Sequence, residues 1–270
     1  MKIKKELFMK KENYYFVSWN VNGIRAIDRK NALKWVDDNP PTILALQEIK
    51  AQREQIPQEL FEYEYKNLFV SSSHKKGQSG VAIYTDIEPS YQSNCYEVDI
   101  LKEGRINEIH FDNIAFFNVY FPNGKRSNER LEYKMQFYER FFEHIQSLRA
   151  KGKSIIFCGD VNTAHKEIDL SRPKENADIS GFLPIEREWI DKVIDAGYID
   201  TFRYIHKDEP NRYSWWSMRT AARKRNVGWR IDYFFVSSDL KEQIVNADIL
   251  DNITGSDHAP VTLELRKKPN

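Results

Sequence analysis

The chain has 270 residues, of which 41% are hydrophobic and 30% charged, enough apolar material for a sizeable core beneath a mixed-charge surface. Lys and Arg number 41 against 40 Asp and Glu, a formal net charge of +1, so any nucleic-acid surface must be a local basic patch and not a bulk property. No apolar run approaches the ~20 residues that span a bilayer, and two cysteines, Cys95 and Cys158, are too few for a disulfide framework and fit a reducing compartment.

From the start of the chain, residues 1–13 carry lysines but no apolar stretch or cleavage site of a secretory leader, and read as a solvated basic tail. Residues 14–270 contain no repeat and no Pro/Gly/Ser-rich linker, and are expected to form a single catalytic domain. Short runs rich in β-branched and aromatic residues predict strands at 14–19, 43–47, 80–84, 114–120, 154–159, 231–236 and 261–265. Many lack strict alternation, so both of their faces should be covered. A helix is expected from Asn128, read as its N-cap, with an apolar stripe Leu131, Met135, Tyr138, Phe142, Ile145 and a stop at Gly152. A second helix is expected over 184–196, ahead of Gly197. Strands and helices do not alternate regularly, which favours two packed, mainly antiparallel sheets with helices outside them over a single doubly wound sheet.

Polar residues cluster where these strands end. Asn20 and Asn22 follow the first, Glu48 the second, Tyr120 and Asn123 the fourth, Asp160 and Asn162 the fifth; Asp232 opens the sixth, and Asp257 and His258 precede the last. Taken singly, each has a plain reading as a turn cap or solvated carboxylate. Together they form a hard-oxygen ligand set with one histidine, neutral amides and no thiolate. That set suits Mg²⁺, with Mn²⁺ able to substitute, better than Zn²⁺. It also suits phosphodiester hydrolysis, in which amides and a protonated histidine stabilise phosphate charge while a carboxylate activates water.

The segments Trp19-Asn20-Val21-Asn22-Gly23-Ile24-Arg25-Ala26, Leu46-Gln47-Glu48, Tyr120-Phe121-Pro122-Asn123, Gly159-Asp160-Val161-Asn162-Thr163-Ala164-His165, Asn226-Val227-Gly228-Trp229-Arg230-Ile231-Asp232-Tyr233 and Gly255-Ser256-Asp257-His258-Ala259-Pro260 resemble, in family order, the exonuclease III family of abasic-site endonucleases. That family sits within the endonuclease/exonuclease/phosphatase superfamily. The resemblance implies an α/β fold, a deoxyribonuclease-like four-layer α/β/β/α sandwich. It implies backbone hydrolysis 5′ to an abasic residue, with 3′→5′ exonuclease or 3′-phosphodiesterase activity at the same centre. By position, Glu48 is the implied principal metal ligand, beside Asn20 and Asn22, with Asp257 contacting the metal directly or through water. Asp160 would orient and deprotonate the attacking water, and Asn162 would hold that water or the phosphate. His258, fixed by Asp232, would bind a phosphate oxygen, and Tyr120 would contact the phosphate or assist proton transfer.

The stretch 219–230 carries Arg219, Arg223, Lys224, Arg225 and Arg230 without an acid, next to Trp215, Trp216, Met218 and Trp229. Cations for phosphates and apolar wedges for opened base steps are the equipment of a protein that kinks a duplex. Arg25, Lys30, Lys75, Lys76, Lys125 and Arg126 are further phosphate candidates, and Trp215 and Trp229 resemble the family's pocket walls. Where relatives often read Asn-Ala-Gly-Phe, this chain has Ile179-Ser180-Gly181-Phe182, with Asn176 kept. A hydroxyl at Ser180, and Lys134 holding the displaced strand or base, would let the pocket take a flipped base such as uracil. Gln78 stands where some relatives place an aromatic. The expected partner is double-stranded DNA with abasic or damaged sites, met by a monomer in the cytoplasm, or in the nucleus of a eukaryote, with no membrane role. The competing readings are another enzyme of the superfamily (a phosphoinositide phosphatase, sphingomyelinase or RNA deadenylase) and a non-catalytic repair scaffold.

Overall fold

The computed structural model describes residues 12–58, 60 and 65–268, so residues 1–11 of the expected tail lie outside the described set. Strand β1 (Asn13–Asn20) begins at the last residue assigned to that tail, with Asn13 paired to Arg266. It belongs to a six-stranded sheet with β2 (Ile43–Gln47), β3 (Asn67–Ser71), β4 (Val81–Thr85), β13 (Ile244–Ile249) and β14 (Val261–Arg266), in the order β13-β14-β1-β2-β4-β3. A second six-stranded sheet has the order β5-β6-β7-β8-β12-β9, from β5 (Tyr91–Ser93), β6 (Ile106–Phe111), β7 (Ile114–Tyr120), β8 (Ser154–Asp160), β9 (Tyr198–Asp200) and β12 (Asp232–Ser237). Each sheet has a single parallel pair at its centre, β1–β2 and β7–β8, and is antiparallel elsewhere. A short ribbon, β10 (Trp215–Trp216) with β11 (Gly228–Trp229), stands apart from both.

The sheets face one another across an apolar layer. Phe16, Ala45, Ile83 and Leu263 of the first meet Ile109, Phe116, Ile156 and Phe234 of the second. The opposite face of the first sheet (Val17, Trp19, Leu44, Leu46) is covered by Ile24 and Ile27 of α1 (Ile24–Arg29) and Val36 of α2 (Trp35–Asp38). The opposite face of the second (Phe117, Val119, Phe157, Phe235) is covered by α3 (Asn128–Ala150) and α4 (Pro184–Asp195). The result is the expected four-layer α/β/β/α sandwich. It explains why β2 and β8 are buried along their whole length: each is an inner strand with packed layers on both faces.

Two details of α3 differ from the sequence expectation. Its N-cap is Ser127, whose hydroxyl accepts from the Arg130 amide, and not Asn128. Its buried face is Tyr133, Lys134, Phe137, Tyr138, Phe141 and Ile145, while Leu131, Met135 and Phe142 are only partly buried. The stripe is displaced because the aromatic residues at 133, 137 and 141 supply more burial area than the aliphatic positions beside them. Helix α4 starts where expected and ends at Asp195, one residue short of the expected bound; Gly197 follows its C-cap Ala196 with φ +87°.

Candidate active site

The two parallel pairs place the chemistry. Strands β1 and β2 run side by side in one direction, so Asn20 and Glu48 leave the same edge of the first sheet. Strands β7 and β8 do the same in the second, bringing Tyr120 opposite Asp160 in register. The rim beyond the carboxyl ends of parallel strands is where ligands bind in sheets of this kind. Antiparallel neighbours complete the rim from their starting ends. Asp232 opens β12 directly across from Asp160, and Asp257 and His258 lead into β14, which pairs with β1.

Hydrogen bonds tie these groups into one network. Asn20 Nδ2 donates to Asp160 Oδ2 at 3.0 Å, and the Asn162 amide donates to Asp160 Oδ1 at 2.8 Å. Asn22 Nδ2 donates to Asp257 Oδ1 at 2.8 Å. Glu48 is paired with Lys50 at 3.1 Å, and the same ammonium reaches Asn22 Oδ1. Asn162 Nδ2 donates to the Phe121 carbonyl, while its Oδ1 accepts from Asn123 at 2.8 Å. Asn22, Glu48 and Asn162 have φ of 49°, 53° and 56°, left-handed conformations uncommon for residues with a Cβ. Such strain concentrated at one rim marks a site whose geometry is imposed by its surroundings.

The charges are arranged to oppose one another across a gap. His258 Nδ1 bonds Asp232 Oδ2 at 2.8 Å, and its Nε2 faces Asp160 Oδ2 at 3.8 Å. Burial works against the charged ring, but the carboxylates of Asp232 and Asp160 outweigh it and hold the pKa at about 10. His258 is therefore an imidazolium at neutral pH. Burial pushes the Asp160 carboxyl up to about 7, against the lowering effect of His258 and the two amide donors. A carboxylate with a pKa near working pH is well matched to general-base duty. Asp257 is held low: His258, Asn22 and the Trp215 indole overcome its burial. The Tyr120 hydroxyl is raised well above its ordinary value by burial and by the nearby charges of Glu48, Asp160 and Asp257. Asp160, Asp232 and His258, far apart in sequence, therefore converge on one point.

Beside this rim lies an aromatic pair, the candidate slot. Trp215 and Trp229 face each other across the ribbon with ring centroids 6.5 Å apart and planes at 81°. Trp215 also donates its indole N–H to Asp257 Oδ2 at 3.1 Å and lies 6.4 Å from the His258 ring, so slot and charged rim are contiguous. Lys125 Nζ sits over both indoles, 5.4 Å and 5.0 Å from their centroids. Gly181 (φ +103°) packs against this pair, since a Cβ there would lie 3.2 Å from the Trp229 ring.

The remaining predicted contacts divide. Arg25, Lys30, Asn123, Arg126 and Arg219 are exposed. Arg25 donates to the Lys50 carbonyl and Lys30 to the Gly255 carbonyl, which fixes both near the loops that carry Glu48 and Asp257. Asn176 spends its amide on the Arg172 carbonyl. Ser180 Oγ donates to Glu186 Oε1 at 2.8 Å. Lys134 is a correction: it is fully buried, and its ammonium is consumed by Glu186 Oε1 (2.6 Å), the Asn162 carbonyl and Thr163 Oγ1 (both 2.8 Å), so it cannot touch a displaced strand or base. Arg230 is likewise buried, between Asp169 and Asp200, and Arg223 is bound to the carbonyls of Asp251, Ile253 and Ser256. Of the basic stretch, Arg219, Lys224 and Arg225 face solvent.

Sequence reasoning missed several supporting groups. Ser214 bonds Asp232 Oδ2 at 2.6 Å; Arg105 lies 4.8 Å over the Tyr120 ring; Glu186 gathers Lys134, Ser180 and the Gly181 amide. Only Ser214 carried a signal, its place immediately before Trp215.

A family model described as the Endonuclease/Exonuclease/phosphatase family matches residues 17–258. The chain is 43% identical to an exodeoxyribonuclease of Bacillus subtilis (strain 168), over 92% of this chain and 97% of that one. It is 39% identical to the DNA repair nuclease APEX1 of Danio rerio, over 94% and 82%. Among solved structures, an AP endonuclease from Archaeoglobus fulgidus superposes with a TM-score of 0.83 at 28% identity, covering 93% of this chain and 98% of that one. A 3′ phosphatase from Neisseria bound to a product DNA hairpin gives 0.83 at 25% identity, covering 93% and 99%. With the matching segments distributed over both sheets and the whole rim, the chain belongs to the endonuclease/exonuclease/phosphatase family.

Proposed function

We propose that this protein is a Mg²⁺-dependent DNA-repair phosphodiesterase that cuts the strand 5′ to an abasic residue and trims 3′ ends at the same centre. The observation that carries the reading is the facing pair, a buried Asp160 carboxylate and a His258 imidazolium 3.8 Å apart, bordered by the Trp215–Trp229 slot. The donor set fits a hard divalent cation: Glu48 would hold it, with Asn20, Asn22 and Asp257 directly or through water, and no thiolate or second histidine competes. Bound there, the ion would neutralise phosphate charge. Asp160 takes the proton of the attacking water, which is oriented by Asn162. The His258 imidazolium and the Asn162 and Asn20 amides hold the phosphate oxygens. Tyr120 keeps its proton and hydrogen-bonds the phosphate through it. The upstream 3′ oxygen leaves and takes a proton from solvent, while Asp160 later releases its own. A sugar lacking its base would pack against the Trp215 and Trp229 indoles, beside the Lys125 ammonium.

A duplex carrying one abasic analogue, incubated with Mg²⁺ or with chelator and sized by strand length, tests the proposal. We expect one incision, 5′ to the lesion, only with metal; an uncut strand with metal supplied would end the reading. Asp160→Asn and Glu48→Gln should each lower cleavage by about 10²–10⁴-fold while duplex binding survives. Loss of binding in step with cleavage would instead mark both residues as structural.

Incision beside a deoxyuridine is a second, weaker activity we assign to the same slot. The Ser180 hydroxyl gives its proton to Glu186 but keeps lone pairs that can accept from a base N–H. A uracil duplex should be cut more slowly than the abasic one, and Ser180→Ala should abolish the uracil cut alone. A uracil duplex left intact would remove this activity without touching the first. No helix among the described residues is long and apolar enough to cross a membrane. We further propose that residues 14–270 act as one catalytic domain, as a monomer on double-stranded DNA, in the cytoplasm or a eukaryotic nucleus. The apolar layer shared by both sheets supports the single domain.

A further inference from the structure

Away from the nuclease rim, at the edge of the second sheet, a different donor set converges. Cys95, in the turn after β5, is fully buried and places Sγ 2.9 Å from Glu108 Oε2. His144 of α3 places Nε2 3.0 Å from the same oxygen and 3.9 Å from the sulfur. Its Nδ1 faces Glu97 Oε1 at 3.6 Å. Glu108 itself is only 1% exposed, and its second oxygen is anchored by His110 Nε2 at 2.6 Å. Thiol, imidazole and carboxylate come from three separate elements and meet at one point without serving the reaction proposed above.

We propose that Cys95, His144 and Glu108 form a site for a thiophilic divalent cation of the Zn²⁺ class. The donors are of the mixed sulfur, nitrogen and oxygen kind that Zn²⁺ takes. Tetrahedral bonds of the usual lengths put such donor atoms about 3.4–3.6 Å apart. The three separations here, 2.9, 3.0 and 3.9 Å, bracket that value, so small side-chain rotations admit the ion. Glu97 stands behind the far nitrogen of His144, the place of the carboxylate that orients a metal-bound imidazole. The way in is open, because His144 and Glu97 are 19% and 61% exposed while the sulfur is sheltered.

Protons stand where the metal would. With no ion, the thiol donates to Glu108, and burial together with that carboxylate raises its pKa well above the ordinary thiol value. Both His144 nitrogens face carboxylates. Binding uses the His144 Nε2 lone pair, forms the S–metal bond and sends the Cys95 thiol proton to solvent. Affinity should therefore rise with pH. A filled site would staple the β5–β6 hairpin to α3.

The full-length protein, with Mg²⁺ in excess to saturate the nuclease rim, is equilibrated with Co²⁺ or Zn²⁺ and passed through a desalting column. We expect one retained equivalent, a thiolate-to-cobalt charge-transfer band and a raised Tm with Zn²⁺. Cys95→Ser should erase the band, His144→Ala should lower affinity at least tenfold, and Glu97→Gln should lower it by about tenfold. All three should cut abasic DNA as the parent does, which also certifies their folding. If Cys95→Ser fails that check, protection of Cys95 from alkylation by Zn²⁺ in the parent protein replaces it. No charge-transfer band in the parent, an undiminished band in Cys95→Ser, or unprotected Cys95 would overturn the proposal.

Discussion

His258 is kept charged by two carboxylates, not by water. Asp232 supplies the closer field: one oxygen is shared between His258 and Ser214, and the other is buried with no hydrogen-bond partner among the described residues. A folded pKa of about 10 lies above the ~6.5 of an unperturbed histidine. The charge therefore stabilises the fold fully below ~6.5, and that contribution is lost as pH rises through about 10. Asp232→Asn keeps an oxygen for Nδ1 but removes the charge. We expect the His258 pKa, followed by NMR, to fall toward its ordinary value and the alkaline limit of cleavage to move down with it. An unmoved pKa would show that Asp160 supplies the field. At this scale a polar residue bordering an apolar run marked a place on the rim, as with Glu48, Asp160 and His258. The sequence misled at Lys134, because a lysine on a helix reads as solvated. What buries it is Glu186, which reaches it from a different helix of the fold. No local pattern announces such a pair.

Among elements, the ribbon that carries Trp229 is secured by ions. The Arg230 guanidinium is wholly buried between Asp169 and Asp200, and Arg203 shares Asp169. Burial opposes ionisation of Asp169, but Arg230 and Arg203 outweigh it and hold the carboxyl far below its ordinary value. This depressed group contributes stability above the unfolded value of ~3.9, and the contribution is lost as pH falls toward the folded pKa. Removing one partner of a buried pair costs about 3–5 kcal/mol. Asp169→Asn should show a loss of that order at neutral pH in denaturant titration, with a flatter acid limb. A loss confined to a few tenths would mean that Arg230 finds solvent.

Elements were legible in proportion to their burial. Inner strands such as β2 and β8 appear as unbroken apolar runs, and α4 is framed by Pro184 and Gly197. Strands β3, β5, β9 and β13 were missed: all four are outermost in their sheets with part-exposed residues, and β5 and β9 are only three residues long. Strand β6 was missed for a different reason: it buries Asn107, Glu108 and His110, which only tertiary partners make tolerable.

For the molecule as a whole, a net charge of +1 leaves DNA affinity to a few placed cations. Arg25, Lys30, Arg126, Arg219, Lys224 and Arg225 are exposed, some beside the rim and others next to the slot. Binding to an abasic duplex should weaken linearly in log affinity against log salt. Arg219→Ala and Arg225→Ala should each reduce that slope by about 1, with cleavage of bound substrate unchanged. A slope identical to the parent's would place the phosphates elsewhere. The layer order was legible because two-sided apolar strands demand cover on both faces. The handover of both parallel pairs to one rim was not, since it depends on pairing β1 with β14 across nearly the full length of the chain.

That pairing has a consequence during synthesis. Strand β14 is not at the margin of its sheet; it is inserted between β13 and β1, and the segment leading into it delivers Asp257 and His258. Until residues 257–266 have emerged and docked, the first sheet lacks an inner stave and the candidate reaction centre lacks its cation. A fragment cut short before Asp257 should therefore be disarmed by construction.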